Sequence, residues 1–301
     1  MEATINQAKQ NLTTIRSWVR FLATEFERHG LFYGHGTDNA VDEAIALVFQ
    51  AIHLPVHGDK RLMGATLLNE EINKISDWAI RRILKREPLP YITEVAYQGP
   101  LSFIVNKNVL IPRSPVAEWL KTVSESENFF PNRILDLCTG SGCLALLAAY
   151  YFPDSTVLGG DISQDALDVA QKNLSRHHAE KQVTFKRSDL FADLNQSEKF
   201  DLIISNPPYV DADDLNALPA EYRFEPQLAL EAGRDGLDVV RRILSEAPKH
   251  LNDDGLLVVE VGNSHTALER AFPSLPFTWL EFEHGGHGVF LISKEALTHG
   301  R

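Results

Sequence analysis

Cysteine is scarce. The 301 residues hold two, Cys138 and Cys143, and they lie within one short stretch, which excludes a disulfide scaffold and falls short of the ligands a structural metal site needs. No run of about 18 apolar residues occurs, so no membrane span is expected. The opening Met1-Glu2-Ala3-Thr4 lacks the basic and apolar blocks of a secretory signal. Positive charge is short as well: 29 Lys+Arg stand against 41 Asp+Glu, a formal net charge of −12. The imbalance is uneven, with 11 basic against 12 acidic side chains in residues 1 to 100 and 18 against 29 in the remainder. A protein that grips duplex nucleic acid normally shows a basic face. Direct binding of duplex DNA is therefore not expected, nor is a membrane or a metal; a cytoplasmic protein with a cationic or neutral partner is.

Hydrophobic content of 44% and charged content of 23% are those of an ordinary globular chain. The periodicity divides it. Residues 1 to 89 read as a helical domain. An amphipathic helix spans 5 to 29 with Gly30 as its stop, a second starts at Asp38 or Asn39 and runs to about Leu54, and a third runs from an Asn69 cap to Glu87 before Pro88. His35, between two glycines, reads as a structural loop residue. Residues 90 to 115 read as a strand pair and linker, with Tyr91 to Tyr97 and Leu101 to Val105 flanking Gln98-Gly99-Pro100. From 116 to 301, helix and strand patterns alternate, which signals an α/β fold with a doubly wound, mostly parallel sheet. Two final strands, Phe277 to Glu283 and Val289 to Ser293, are joined by His284-Gly285-Gly286-His287-Gly288 and predict an antiparallel hairpin. Its two histidines are read as loop residues and not as metal ligands.

Chemistry concentrates at strand ends. The run Phe200 to Ile204 is halted by Asn206-Pro207-Pro208-Tyr209, a stiff turn at the carboxyl end of a strand, where open α/β sheets keep their ligands. Asp136 to Ala145 (DLCTGSGCLA) leaves another strand. Gly140, Gly142 and Ala145, with Asp161 further on, fit the dinucleotide fingerprint, so a nicotinamide enzyme is one reading. A carboxylate at Asp136, however, suits a cationic or hydroxyl-bearing ligand better than a pyrophosphate. S-adenosylmethionine has an ammonium, a sulfonium and a ribose diol. Thr139, Gly140, Ser141 and Gly142 let backbone approach such a ligand, Asp161 can accept from its ribose hydroxyls, and Asp189 can accept from its adenine amino group with Leu190 or Phe191 over the ring.

Asp136 to Gly142, Asp161, Asp189 and Asn206 to Tyr209 together resemble a class I S-adenosylmethionine-dependent methyltransferase of Rossmann-like fold acting on a planar nitrogen. The helical amino-terminal domain, Ile111-Pro112-Arg113-Ser114-Pro115, Glu225-Pro226 and Gly233 to Leu237 are similar to the HemK-like protein glutamine N5-methyltransferases. Release-factor enzymes of that family carry an acid-bearing segment after Pro-Arg, where Ser114-Pro115 stands here. That departure and Phe32 to Asn39 resemble the branch acting on large ribosomal subunit protein three. The resemblance implies a basic ribosomal protein as substrate, with RNA contact only if methylation occurs on assembling ribosomes. The release-factor and DNA amino-methyltransferase readings are the alternatives, together with a non-catalytic cofactor-binding assembly factor. Asn206 and Pro207 are expected to hold the substrate amide, Pro208 to stiffen the turn and Tyr209 to pack on the amide plane. Arg113 is expected either to meet the cofactor carboxylate or to brace the interdomain strand, and Glu225 either to order a covering loop or to form a cap or ion pair.

Overall fold

The structure is a computed structural model that describes residues 1–126, 128–283 and 285–299. The chain forms two compact units, one of residues 1–96 together with 219–224 and one of residues 97–218 together with 225–301.

The first unit contains α1 (Glu2–Asn11), α2 (Ile15–Arg28), α3 (Ala40–Ala51), α4 (Asn69–Leu84) and α5 (Leu89–Thr93). The single helix expected over 5 to 29 is two, broken at residues 12 to 14. There the backbone pairs elsewhere: the Leu67 N–H donates to Thr13 O and the Ile15 N–H to Ala65 O. Thr14 then caps α2, its Oγ1 accepting from the Ser17 N–H at 3.2 Å. Asn39 caps α3 as expected, whereas α4 is entered from Leu68, whose N–H donates to the Glu71 carboxylate, and Asn69 is its first residue. The expected strand over Tyr91 to Tyr97 is instead helical α5 followed by a short β1 (Val95–Gln98), which pairs with β2 (Leu101–Ile104); Pro90 near the start of α5 suits the first helical turn, where its missing N–H costs nothing. Trp18, Leu22, Phe26, Leu47, Phe49 and Ile75 are fully buried in this unit's core.

Within that core lies a charge cluster. The Arg82 guanidinium, 1% exposed, meets Glu43 through Nε and Glu221 through Nη1 at 3.2 Å. Glu221 is fully buried and also accepts from the Phe32 N–H at 3.0 Å. The Tyr222 ring sits against Phe32 and His35, with centroids 5.6 and 4.7 Å away. The loop from Phe32 to Asn39 is thus built to hold residues 219–224, and His35 is a buried packing residue.

The second unit continues with α6 (Val116–Ser124), β3 (Arg133–Leu137), α7 (Cys143–Tyr151), β4 (Thr156–Asp161), α8 (Gln164–His177), β5 (Val183–Arg187), β6 (Phe200–Ser205), α9 (Ala212–Ala217), α10 (Asp238–His250), β7 (Leu251–Glu260), α11 (His265–Ala271), β8 (Thr278–Trp279), β9 (Val289–Ser293) and α12 (Lys294–His299). Its seven strands run in the order β5-β4-β3-β6-β7-β9-β8, all parallel except β9, which is antiparallel to both β7 and β8. This is the doubly wound α/β sheet expected, closed by an antiparallel pair. The first strand of that pair is shorter than expected, and His284 of the connecting loop lies outside the described residues. Side chains alternate across each strand. Leu135, Leu137, Ile203, Leu257 and Val259 pack with α10 and α12 on one face, which leaves Asp136 on the other face, toward α7. The chain reverses direction across the sheet between β3 and β6, and a crevice opens at their carboxyl ends.

Candidate active site

The register sets the site. Leu137 lies opposite both Gly160 and Ser205, and Ser205 lies opposite Val259, so four strands end at one level. The residues that follow line a cavity of about 270 Å³. Asp136, Thr139, Gly140, Ser141, Asp161 and Asp189 are in its wall, and so are Leu190, Asn206 and Pro208. Pro207, Tyr209 and Gly142 are not among the residues that line it. Phe191 turns away and stacks on His250 at 5.0 Å, so Leu190 is the apolar cover on that side.

Asp136 is fully buried. Its Oδ2 accepts from the Thr139 hydroxyl and, at 3.0 Å, from the Ala145 N–H in the first turn of α7, where an anion is favoured. Its Oδ1 has no hydrogen-bond partner. Burial outweighs those two donors and pushes the carboxyl up to about 7. Asp161 receives the Gly140 N–H at 2.8 Å and the Ser163 N–H at 2.9 Å, one on each oxygen, and burial raises its pKa too. Each oxygen keeps a second lone pair. The carboxylate therefore shapes the glycine loop and can still accept from a ligand. Asp189, half-exposed, pairs with Arg242 at 2.9 Å. Cys138 and Leu190, both on the cavity wall, have left-handed backbone, with φ of 57° and 53°. For non-glycine residues this conformation is strained, and such strain clusters at ligand sites.

Asn206 follows β6 directly. Its Oδ1 is buried and has no partner, an acceptor that costs free energy until a donor arrives. The turn after it is held from behind. The Tyr209 hydroxyl donates to Glu260 Oε1 at 2.7 Å, and its carbonyl accepts from the Ser264 hydroxyl at 2.9 Å. Gly262 packs under the phenol so closely that a Cβ there would come within 2.7 Å of the ring. The Val210 N–H then donates to Leu230 O and the Ala232 N–H to Val210 O, so residues 230–232 run beside the turn.

Arg113 and Glu225 are bound to each other. Two guanidinium nitrogens meet the two carboxylate oxygens at 2.6 and 2.8 Å, and Glu225 also accepts from the Ile111 N–H. The pair joins residues 111–113 to the segment whose Pro226, Leu228 and Ala229 edge the cavity, and Arg113 itself lines that cavity. Gly286 lies against Pro115, and His287 is 2.9 Å from the Asn263 side chain. Sequence reasoning missed Glu260, Ser264 and Arg242. Glu260 did carry a signal: it is an acid ending an apolar strand run, the feature that singled out Asp136.

Residues 119–221 match the methyltransferase small domain family. The chain is 43% identical over 295 residues to the ribosomal protein uL3 glutamine methyltransferase of Francisella tularensis, covering 95% of this chain and 92% of that one. It is 45% identical to the enzyme of the same name from Neisseria gonorrhoeae, covering 97% of this chain and 98% of that one. Among solved structures, the hMettl16 catalytic domain in complex with a MAT2A 3′UTR hairpin superposes with a TM-score of 0.51 at 17% identity, covering 77% of this chain and 85% of that chain; at that identity it supports the class I methyltransferase fold alone. Strand order, site geometry and near full-length identity agree: the chain belongs to the ribosomal protein uL3 glutamine methyltransferase family.

Proposed function

We propose that this protein methylates the side-chain amide nitrogen of a glutamine in large-subunit ribosomal protein uL3, with S-adenosylmethionine as the methyl donor. The observation that carries the reading is Asn206 Oδ1, a buried acceptor without a partner, placed in the wall of the cavity beside two prolines that cannot donate. An amide NH2 offers the two donors such a turn lacks.

The cavity fits the cofactor. Asp136 Oδ1 is a buried carboxylate oxygen without a partner, suited to a cationic ligand. A Cβ on Gly140 would meet nothing within 4 Å and would project into the space a ligand needs. Asp161 and Asp189 supply acceptors for a ribose diol and an adenine amino group. When bound, S-adenosylmethionine supplies a methyl group on a sulfonium, whose carbon–sulfur bond breaks as the carbon–nitrogen bond forms.

A glutamine amide nitrogen is a weak nucleophile because its lone pair is delocalised. Asn206 Oδ1 and the Pro207 carbonyl each accept one amide N–H, which aims the nitrogen along the line of attack and polarises its N–H bonds so that electron density gathers on the nitrogen. Pro208 stiffens the turn, and Tyr209, bonded to Glu260, holds it in place from behind. Holding of this kind is worth roughly 7–11 kcal/mol in favourable cases, so no histidine base is required. The surplus proton of the product leaves to water. No helix among the described residues is long and apolar enough to cross a membrane, and the cytoplasm, where ribosomes assemble, is the compartment this reading requires.

The test is incubation with labelled S-adenosylmethionine and separate pools of ribosomal protein, release factor, RNA and DNA, followed by mass spectrometry. Label on one glutamine of uL3 is the expected result. Label confined to a release factor or a nucleic acid would overturn the proposal. Asn206→Ala is expected to lower turnover by orders of magnitude while leaving most of the cofactor affinity; near wild-type turnover would refute the role given to Asn206.

A further inference from the structure

Glu260 is the last residue of β7, and its neighbour Val259 is in register with Ser205, so Glu260 stands level with Asn206 on the adjacent strand. It is 6% exposed. A carboxylate there needs hydrogen-bond donors to be tolerated. It has two: the Tyr209 hydroxyl on Oε1 at 2.7 Å and the Ser114 hydroxyl on Oε2 at 2.5 Å. Ser114 is itself buried and held from behind, its carbonyl accepting from Gln98, whose side-chain oxygen accepts from the Cys143 thiol. Tyr209 is clamped by the same region, through Ser264 and the close approach of Gly262. Ser114 occupies the position at which the sequence departs from the release-factor pattern, and its hydroxyl donates to Glu260 while accepting from the Val116 N–H at the start of α6.

We infer that Glu260 is a positioning residue of the transfer site, which acts through the Tyr209 hydroxyl to fix the turn from Asn206 to Tyr209 in the geometry that presents its acceptor oxygens. The inference rests on the glutamine-methylation reading above. Two hydroxyl donors converge on two different oxygens, and an ionised carboxylate takes both. Glutamine has one acceptor oxygen and so keeps one of the two bonds; alanine keeps neither. With the turn released, the amide nitrogen is no longer aimed, and a misplacement of about 1 Å costs on the order of 100-fold in rate. Asp136, Asp161 and Asp189, the carboxylates read as holding the cofactor, have other partners than Glu260, and cofactor binding is expected to survive.

The experiment is a double-mutant cycle on the full chain with Glu260→Ala, Tyr209→Phe and the pair, and with Glu260→Gln as the conservative variant. Measured are kcat on uL3, the cofactor dissociation constant by calorimetry, and Tm. Expected are losses of kcat of about tenfold or more for each single variant, a double variant no more than about threefold worse than the poorer single, and partial recovery with Glu260→Gln. The cofactor constant should stay within about twofold. Losses that multiply in the pair, a wild-type kcat for Glu260→Ala, or a fall in kcat that merely tracks cofactor affinity or Tm would overturn the inference. A second arm needs no activity: in tyrosine-labelled NMR spectra, with the Tyr209 ring signal assigned through Tyr209→Phe, Glu260→Ala should shift that signal, and an unmoved signal would overturn the inference. A wild-type protein that labels no glutamine defeats the functional reading instead, and the NMR arm still decides whether Glu260 holds Tyr209.

Discussion

Replacing Asp136 by asparagine should stabilise the unliganded protein at neutral pH while weakening its hold on the cofactor. The side chain is fully buried, and one of its oxygens has no partner. With its carboxyl raised from an ordinary 3.8 to about 7, the folded state prefers the neutral acid. A group raised on folding contributes stability that is fully present below the unfolded value and is lost as pH rises through the folded one. At about 1.4 kcal/mol per pKa unit, the charge costs about 4 kcal/mol once fully formed above pH 7, and about 2 to 3 kcal/mol of that develops between pH 5 and pH 8. Asparagine keeps an oxygen for Thr139 and Ala145 and never acquires the charge. Its amide nitrogen, lodged where Oδ1 was, carries a penalty independent of pH. Urea unfolding of both proteins at pH 5 and pH 8 isolates the effect, because every other titrating group is common to them. The stability of Asp136→Asn relative to wild type should rise by about 2 to 3 kcal/mol across that interval. A difference that moves by less than about 0.5 kcal/mol would refute the account of a carboxylate held charged against its environment.

Asp161→Ala should weaken cofactor binding through two losses, the acceptor for the ribose diol and the carboxylate that receives the Gly140 N–H; an unchanged dissociation constant by calorimetry would sink the assignment. Arg82→Met should cost about 3 to 5 kcal/mol of stability by leaving Glu43 buried without its cation and Glu221 with Arg86 alone, and a change below about 1 kcal/mol in chemical denaturation would show that the cluster is better solvated than its burial implies.

The sheet was readable from the sequence because parallel strands buried on both faces leave apolar runs that glycine-bearing turns and helical periods interrupt. The site was readable for a related reason. A carboxylate closing an apolar run has no business in a core, and Asp136, Asp161 and Asp189 share one edge of the sheet. What stayed hidden was set by partners distant along the chain. The break between α1 and α2 contains no glycine or proline; it arises because residues 13 to 15 bond to 65 and 67. The bond from Tyr209 to Glu260, the pairing of Arg113 with Glu225 and that of Asp189 with Arg242 each join segments that local patterns cannot connect.

The insertion of residues 219–224 into the helical unit governs how this protein can be taken apart. A fragment ending at residue 96 would lack Glu221 and Tyr222, leaving the Arg82 cation short of an anion and the Phe32 and His35 rings without the tyrosine they pack on. Such a fragment is expected to be poorly folded however well its helices are chosen. A transplant of this helical unit to another protein must carry two pieces of chain, and any library that shuffles the helices alone will select for repair of that missing piece before anything else.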